Sequence, residues 1–124
     1  LDLIITDYIG VKQEGPYVPA PLKTISPALK GDLYTAHKMM LEDKEASKKA
    51  EIQVENINGA ILILSGINDE MWPATEMSDK LIKRLKNKKF NYYNEHIKLD
   101  GGHIAPLEHF NLVYDFLDQH LPTK

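Results

Sequence analysis

The chain has 124 residues, 43% of them apolar and 27% charged, with a net charge of −3 and no cysteine. That composition is typical of one soluble globular domain. It excludes a disulfide framework, a Cys-ligated zinc and a Cys nucleophile within these residues. Charges of both signs are interspersed without a basic stripe, so no nucleic-acid partner is expected. No apolar run approaches the roughly 18 residues of a membrane span. No signal-peptide pattern opens the sequence, and a cytoplasmic location is the expectation. The first residue is Leu1 rather than Met, so the chain is expected to begin inside a longer one.

In chain order, Leu1, Leu3, Ile4 and Ile5 form either a short strand or a buried loop anchor. Gly10, Gly15, Pro16, Pro19, Pro21 and Pro27 then forbid a long helix or a central strand. Residues 1–31 are therefore expected to be irregular, a lid or connection packed on something outside this sequence. Asp32 can cap a helix carrying Leu33, Ala36, Met40 and Leu41, and the charged run 42–49 is read as solvent-facing. Residues 1–50 thus read as a lid-like connecting region with one helix, and 51–124 as an α/β segment.

In that segment, 60–65 (AILILS) reads as a strand buried on both faces. Met77, Leu81, Ile82 and Leu85 repeat at helical spacing from a start near Ala74 or Thr75, and 87–91 closes the helix. A second strand falls within 92–99, and Asp100-Gly101-Gly102 is a tight turn leading to His103. Leu107, Phe110, Tyr114, Leu117 and Leu121 mark one face of a C-terminal helix stopped by Pro122. The order strand, helix, strand predicts a parallel pair with a helical crossover. The basic run Lys80, Lys83, Arg84, Lys86, Lys88 and Lys89 reads as a solvated face, with phosphate or CoA contact as the alternative.

Asp69 lies just past the first strand and His103 just past the second. In parallel α/β sheets, catalytic groups gather at the carboxyl ends of strands. A carboxylate that accepts the Nδ1–H of an imidazole fixes its tautomer and supports the imidazolium. Acid before histidine, with a nucleophile earlier still, is the chain order of an α/β-hydrolase. Of the other polar residues, Asn68 reads as a turn residue, Glu70 as solvated, His96 as strand-associated, and His37 and His120 as surface residues. Tyr92 and Tyr93 are expected to pack at the sheet end. His103, Glu108 and His109 match no metal-binding spacing, so neither metal nor cofactor is expected.

Residues 52–105 carry Ile52, Val54, Glu55, Ile57 and Gly59, then the strand ILILSG. Gly66-x-x-Asp69-x-x-Trp72-Pro73 follows, then Glu76-Met77, His96 and Gly102-His103. This stretch resembles the C-terminal domain of the acyl-CoA thioesterases and bile acid-CoA:amino acid N-acyltransferases, a family of the α/β-hydrolase superfamily. Trp72-Pro73 with Glu76-Met77 is its more specific part. The resemblance implies the C-terminal portion of an α/β-hydrolase fold, with most of the sheet upstream. It implies Asp69 as triad acid and His103 as general base. The implied activity is hydrolysis of an acyl-CoA thioester or carboxylic ester, or alternatively acyl transfer to an amino acid. Trp72 is expected to pack under the acid loop, with a substrate-pocket role as the alternative. Gln53 and Ala60 depart from the family pattern, where relatives often have Pro.

No Gly-x-Ser-x-Gly elbow is present: Ser26, Ser47, Ser65 and Ser78 all lack the flanking glycines. The nucleophile is expected upstream, in an N-terminal part of the same protein, leaving this chain inactive alone. The competing reading is a non-catalytic α/β scaffold or binding module.

Overall fold

The computed structural model describes residues 20–121. The apolar residues at 1–5, the breakers from Gly10 to Pro19 and the Pro122 stop lie outside the described residues. The chain divides into two compact units. One comprises residues 20–53 with Glu70–Pro73, the other Val54–Asp69 with residues 74–121.

The second unit is built on two strands, β1 (Ile61–Gly66) and β2 (Asn94–Leu99), paired in parallel from Ile61↔Asn94 to Gly66↔Leu99. β1 forms from the apolar run ILIL, whose β-branched Ile61 and Ile63 prefer a pleated surface. The crossover between the strands holds one long helix (Ala74–Asn87), so this unit is α/β with a parallel sheet, as the element order predicts. The long helix packs on both strands and on a 3-10 turn, Val54–Asn56. Ile63, Leu99, Val54 and Ala105 are buried, and Leu85 is fully so. Burying one such leucine stabilises by about 2 kcal/mol.

That helix ends where its hydrogen bonds turn back. The Phe90 N–H donates to the Leu85 carbonyl (3.0 Å) and the Lys89 N–H to the Lys86 carbonyl (3.2 Å), with Lys89 left-handed at φ 53°. This is a Schellman stop in which Lys takes the place glycine usually fills.

Three expectations are corrected here. Ile63 is buried but Leu62 and Leu64 are only half-buried, so β1 is not covered on both faces. The C-terminal stripe is not one helix but two, Ala105–Glu108 and Asn111–His120. The break is at His109, whose φ of −115° and ψ of 33° leave the helical region. Leu107 and Tyr114 are consequently exposed, and the covered face runs through Leu112, Val113, Phe116 and Leu117. Finally, Arg84 does not belong to a solvated face. Its Nε and one terminal nitrogen donate to the two carboxylate oxygens of Glu55, each at 2.5 Å, with both side chains largely buried.

The first unit holds a 3-10 turn (Leu22–Thr24) and three helices, α1 (Ile25–Leu29), α2 (Leu33–Leu41) and α3 (Lys44–Lys49). In chain order the long helix is therefore α4, the split pair α5 and α6. Residues 20–31 are thus more ordered than their prolines suggest. Pro27 is tolerated because it lies in the first turn of α1, where its missing N–H has no intrahelical partner to lose. Asp32 caps α2, accepting from the Thr35 N–H at 3.0 Å, and that N–H holds its carboxyl below the usual range. Asp43 caps α3 in the same way, accepting from the Ala46 N–H at 2.9 Å. The run read only as charged surface is therefore a helix. Its signals are the Asp43 cap, Glu45 in the first turn and Lys48 and Lys49 in the last.

Two outcomes follow from this packing. Arg84 lowers the Glu55 carboxyl from 4.5 to about 2. A depressed carboxyl stabilises the fold above its unfolded value and loses that contribution as pH falls from about 4.5 through about 2. Denaturation midpoints followed down this range should fall more steeply for the native chain than for Glu55→Gln. Lys89→Gly should raise the unfolding free energy by about 1 kcal/mol, since glycine adopts the left-handed region without strain. Thermal melts will read that gain.

Candidate active site

The parallel register brings the carboxyl ends of β1 and β2 level, and the chain then leaves both strands at the same rim. The ladder continues into the turns. The Ile67 N–H donates to the Leu99 carbonyl (2.9 Å), and the Asn68 N–H to the Gly101 carbonyl (3.0 Å). The Asn68 side chain reaches Asp100 Oδ1 at 3.4 Å, so this turn residue also ties one turn to the other.

Glycine makes the approach possible. A Cβ on Gly66 would stand 2.1 Å from the Gly102 carbonyl oxygen and 2.7 Å from that of Gly101. Gly101 has φ 156°, and a Cβ there would stand 2.8 Å from the buried Ala105 methyl.

These contacts put the two candidate side chains against each other. His103 Nδ1 lies 3.0 Å from Asp69 Oδ2, with the carboxylate side chain 5% exposed and the imidazole 18% exposed. An ionised carboxylate only accepts, so the Nδ1 carries the proton and donates it.

The family described as BAAT / Acyl-CoA thioester hydrolase C terminal matches residues 5–120. The chain belongs to this family. Its name points to acyl-CoA thioester hydrolase and acyltransferase chemistry. Comparison with curated proteins returned no match, nor did comparison with solved structures.

With the BAAT C-terminal family established, the other residues singled out in the sequence can be placed. Glu55, one of the matching residues, is the partner of Arg84. Trp72 is half-buried in the first unit, edge-on to the His37 ring at a centroid distance of 5.6 Å. His37 is not a surface residue: its Nδ1 lies 2.9 Å from both the Leu33 and Met71 carbonyl oxygens. His120 is likewise half-buried, stacked on Tyr93 at 4.4 Å and beside Phe116 at 4.8 Å. Tyr93 remains partly exposed, with its hydroxyl donating to Glu95 Oε2 at 2.6 Å. That carboxylate holds the Tyr93 phenol above its ordinary value. His109 turns its Nδ1 to the Ala105 carbonyl (3.0 Å). Glu70 is exposed at the surface. Among the described residues no helix is long and apolar enough to cross a membrane.

One polar group went unread in the sequence. Ser65 Oγ lies 2.7 Å from His96 Nε2, and His96 Nδ1 lies 3.0 Å from Asp79 Oδ1. The contacts run serine, histidine, aspartate, yet Ser65 is 1% exposed and its oxygen also meets Thr75 Oγ1 at 2.9 Å. A carbonyl carbon has no approach to it, so Ser65 is structural, as its position at a strand end suggests. The available signal was the i,i+4 spacing of Thr75 and Asp79 on α4, which puts both on one helix face.

Gly66→Ala tests the close approach. It should cost about 2 kcal/mol or more, because backbone rather than a flexible side chain stands in the way. The downfield proton signal of the His103–Asp69 bond should be lost with it. Thermal unfolding and proton NMR read the two effects.

Proposed function

We propose that this chain supplies the acid and the base of a serine-type acyl hydrolase with an α/β-hydrolase fold. The substrate class is an acyl-CoA thioester or a related carboxylic ester. The observation that carries the reading is the 3.0 Å contact between His103 Nδ1 and Asp69 Oδ2 at the rim of a parallel sheet. The family match supports acyl-CoA chemistry for that pair. With Nδ1 committed to the carboxylate, Nε2 is the nitrogen that exchanges protons.

The nucleophile is a serine outside these residues, in the N-terminal part of the same protein. As its hydroxyl attacks the carbonyl carbon, its proton passes to His103 Nε2. Asp69 stabilises the resulting imidazolium and keeps the ring oriented. The tetrahedral oxyanion is met by backbone N–H donors contributed by the same part as the nucleophile. The proton on Nε2 then goes to the departing thiolate or alkoxide, leaving an acyl-enzyme. Water, deprotonated by His103, releases the acid. An amine in the place of water would give the N-acyl product.

Ile67 and Ile104, each next to a turn bearing one of the pair, are exposed. Apolar side chains in such a place suit a site completed by further protein. On this account the chain alone is inactive.

The test is turnover of acyl-CoA and of p-nitrophenyl esters by the full-length gene product. His103→Ala should abolish turnover, and Asp69→Asn should lower kcat by about 10⁴-fold, since the amide favours the wrong imidazole tautomer. Intact turnover in His103→Ala would overturn the assignment of His103 as the base.

A further inference from the structure

The buried group around His96 does more than fill the space between β1 and α4. It is a line of four hydrogen-bond contacts: Asp79 Oδ1 to His96 Nδ1 (3.0 Å), His96 Nε2 to Ser65 Oγ (2.7 Å), Ser65 Oγ to Thr75 Oγ1 (2.9 Å), and Thr75 Oγ1 to the Gly66 carbonyl (3.1 Å). The outer end is anchored by Lys98, whose Nζ donates to Asp79 Oδ2 at 2.8 Å. Lys98, followed by His96, holds the Asp79 carboxyl below its ordinary range. The inner end is the carbonyl of the residue that touches the Gly101-Gly102 turn and opens the turn to Asp69.

Counting protons gives the line a direction. Each contact needs one hydrogen, so four are required. Ser65 and Thr75 supply one each, and a neutral imidazole supplies one more, leaving one contact without a hydrogen. With a proton on each ring nitrogen the count closes. His96 then donates outward to Asp79 and inward to Ser65, Ser65 donates to Thr75, and Thr75 donates to the Gly66 carbonyl. The His96 side chain is 4% exposed, and an unmade hydrogen bond at such a depth is costly. Asp79 and Lys98 are the charged groups joined to the line, and with His96 they sum to one positive charge.

We propose that His96, with both ring nitrogens protonated, is a positioning residue for the Asp69–His103 pair, acting through Ser65 and Thr75 on the carbonyl of Gly66. The inference rests on the reading of that pair as acid and base. His96 itself touches neither substrate nor the reacting atoms.

The experiment uses the full-length gene product labelled with ¹⁵N-histidine, with His96→Gln to assign the resonance. At the pH of the turnover assay both His96 nitrogens should show protonated shifts. Thr75→Val, which keeps the shape and removes the hydroxyl, should lower kcat about tenfold or more with KM unchanged. It should also move the downfield His103 Nδ1 proton signal, and Thr75→Ser should restore both. Three results overturn the proposal: a single ring proton on His96, wild-type kcat with an unmoved signal in Thr75→Val, or no recovery in Thr75→Ser. If His103→Ala retains turnover, the catalytic reading falls instead. The His103 proton signal still reports whether Thr75 positions the pair.

Discussion

The contact between Gly66 and the Gly101-Gly102 turn is the constraint on which the site depends. Two parallel strands in register end level with each other, but level ends alone leave the following turns free to splay. Here the absence of a side chain at Gly66 lets the backbone carbonyls of the second turn lie where a Cβ would be. The Ile67 and Asn68 amides then close the gap with two more hydrogen bonds. A carboxylate and an imidazole 34 residues apart in sequence lie 3.0 Å from each other where these turns meet.

Behind the sheet lies a second set of polar contacts. Lys98 and Asp79 lie at the surface, the His96 side chain and Ser65 are buried, and Thr75 is half-buried. Elsewhere Glu55 and Arg84 tie the 3-10 turn before β1 to α4. Both groups fasten α4 to what surrounds β1, so the helix that follows the turn bearing Asp69 is held at each end of its length. The BAAT C-terminal family match embraces all of these residues.

Much of this was legible in the sequence, for identifiable reasons. ILILSG is short, mostly apolar and carries two β-branched isoleucines, Met77 to Leu85 keeps helical spacing, and a strand–helix–strand order leaves a parallel pair as the economical solution. Asp69 and His103 stand out because each follows a strand, with the acid before the histidine in the chain. The failures share a cause. The split between α5 and α6 follows the backbone at His109, which leaves an apolar spacing of three and four intact across the break. The pairing of Arg84 with Glu55 joins residues far apart in sequence, and charge patterning on one helix cannot disclose it. Ser65, Asp79 and His96 meet only through the strand register and the placement of α4 over it. By contrast α3 was readable from its Asp43 cap, had local capping been weighed above its charged composition.

The most direct measurement of the central claim is active-site labelling of the full-length gene product with a phosphonate ester, read by mass spectrometry. The account predicts one adduct, on a serine outside the residues described here, formed rapidly in the native protein and far more slowly in His103→Ala. An adduct forming at the same rate in both proteins, or none in the native one, would contradict it.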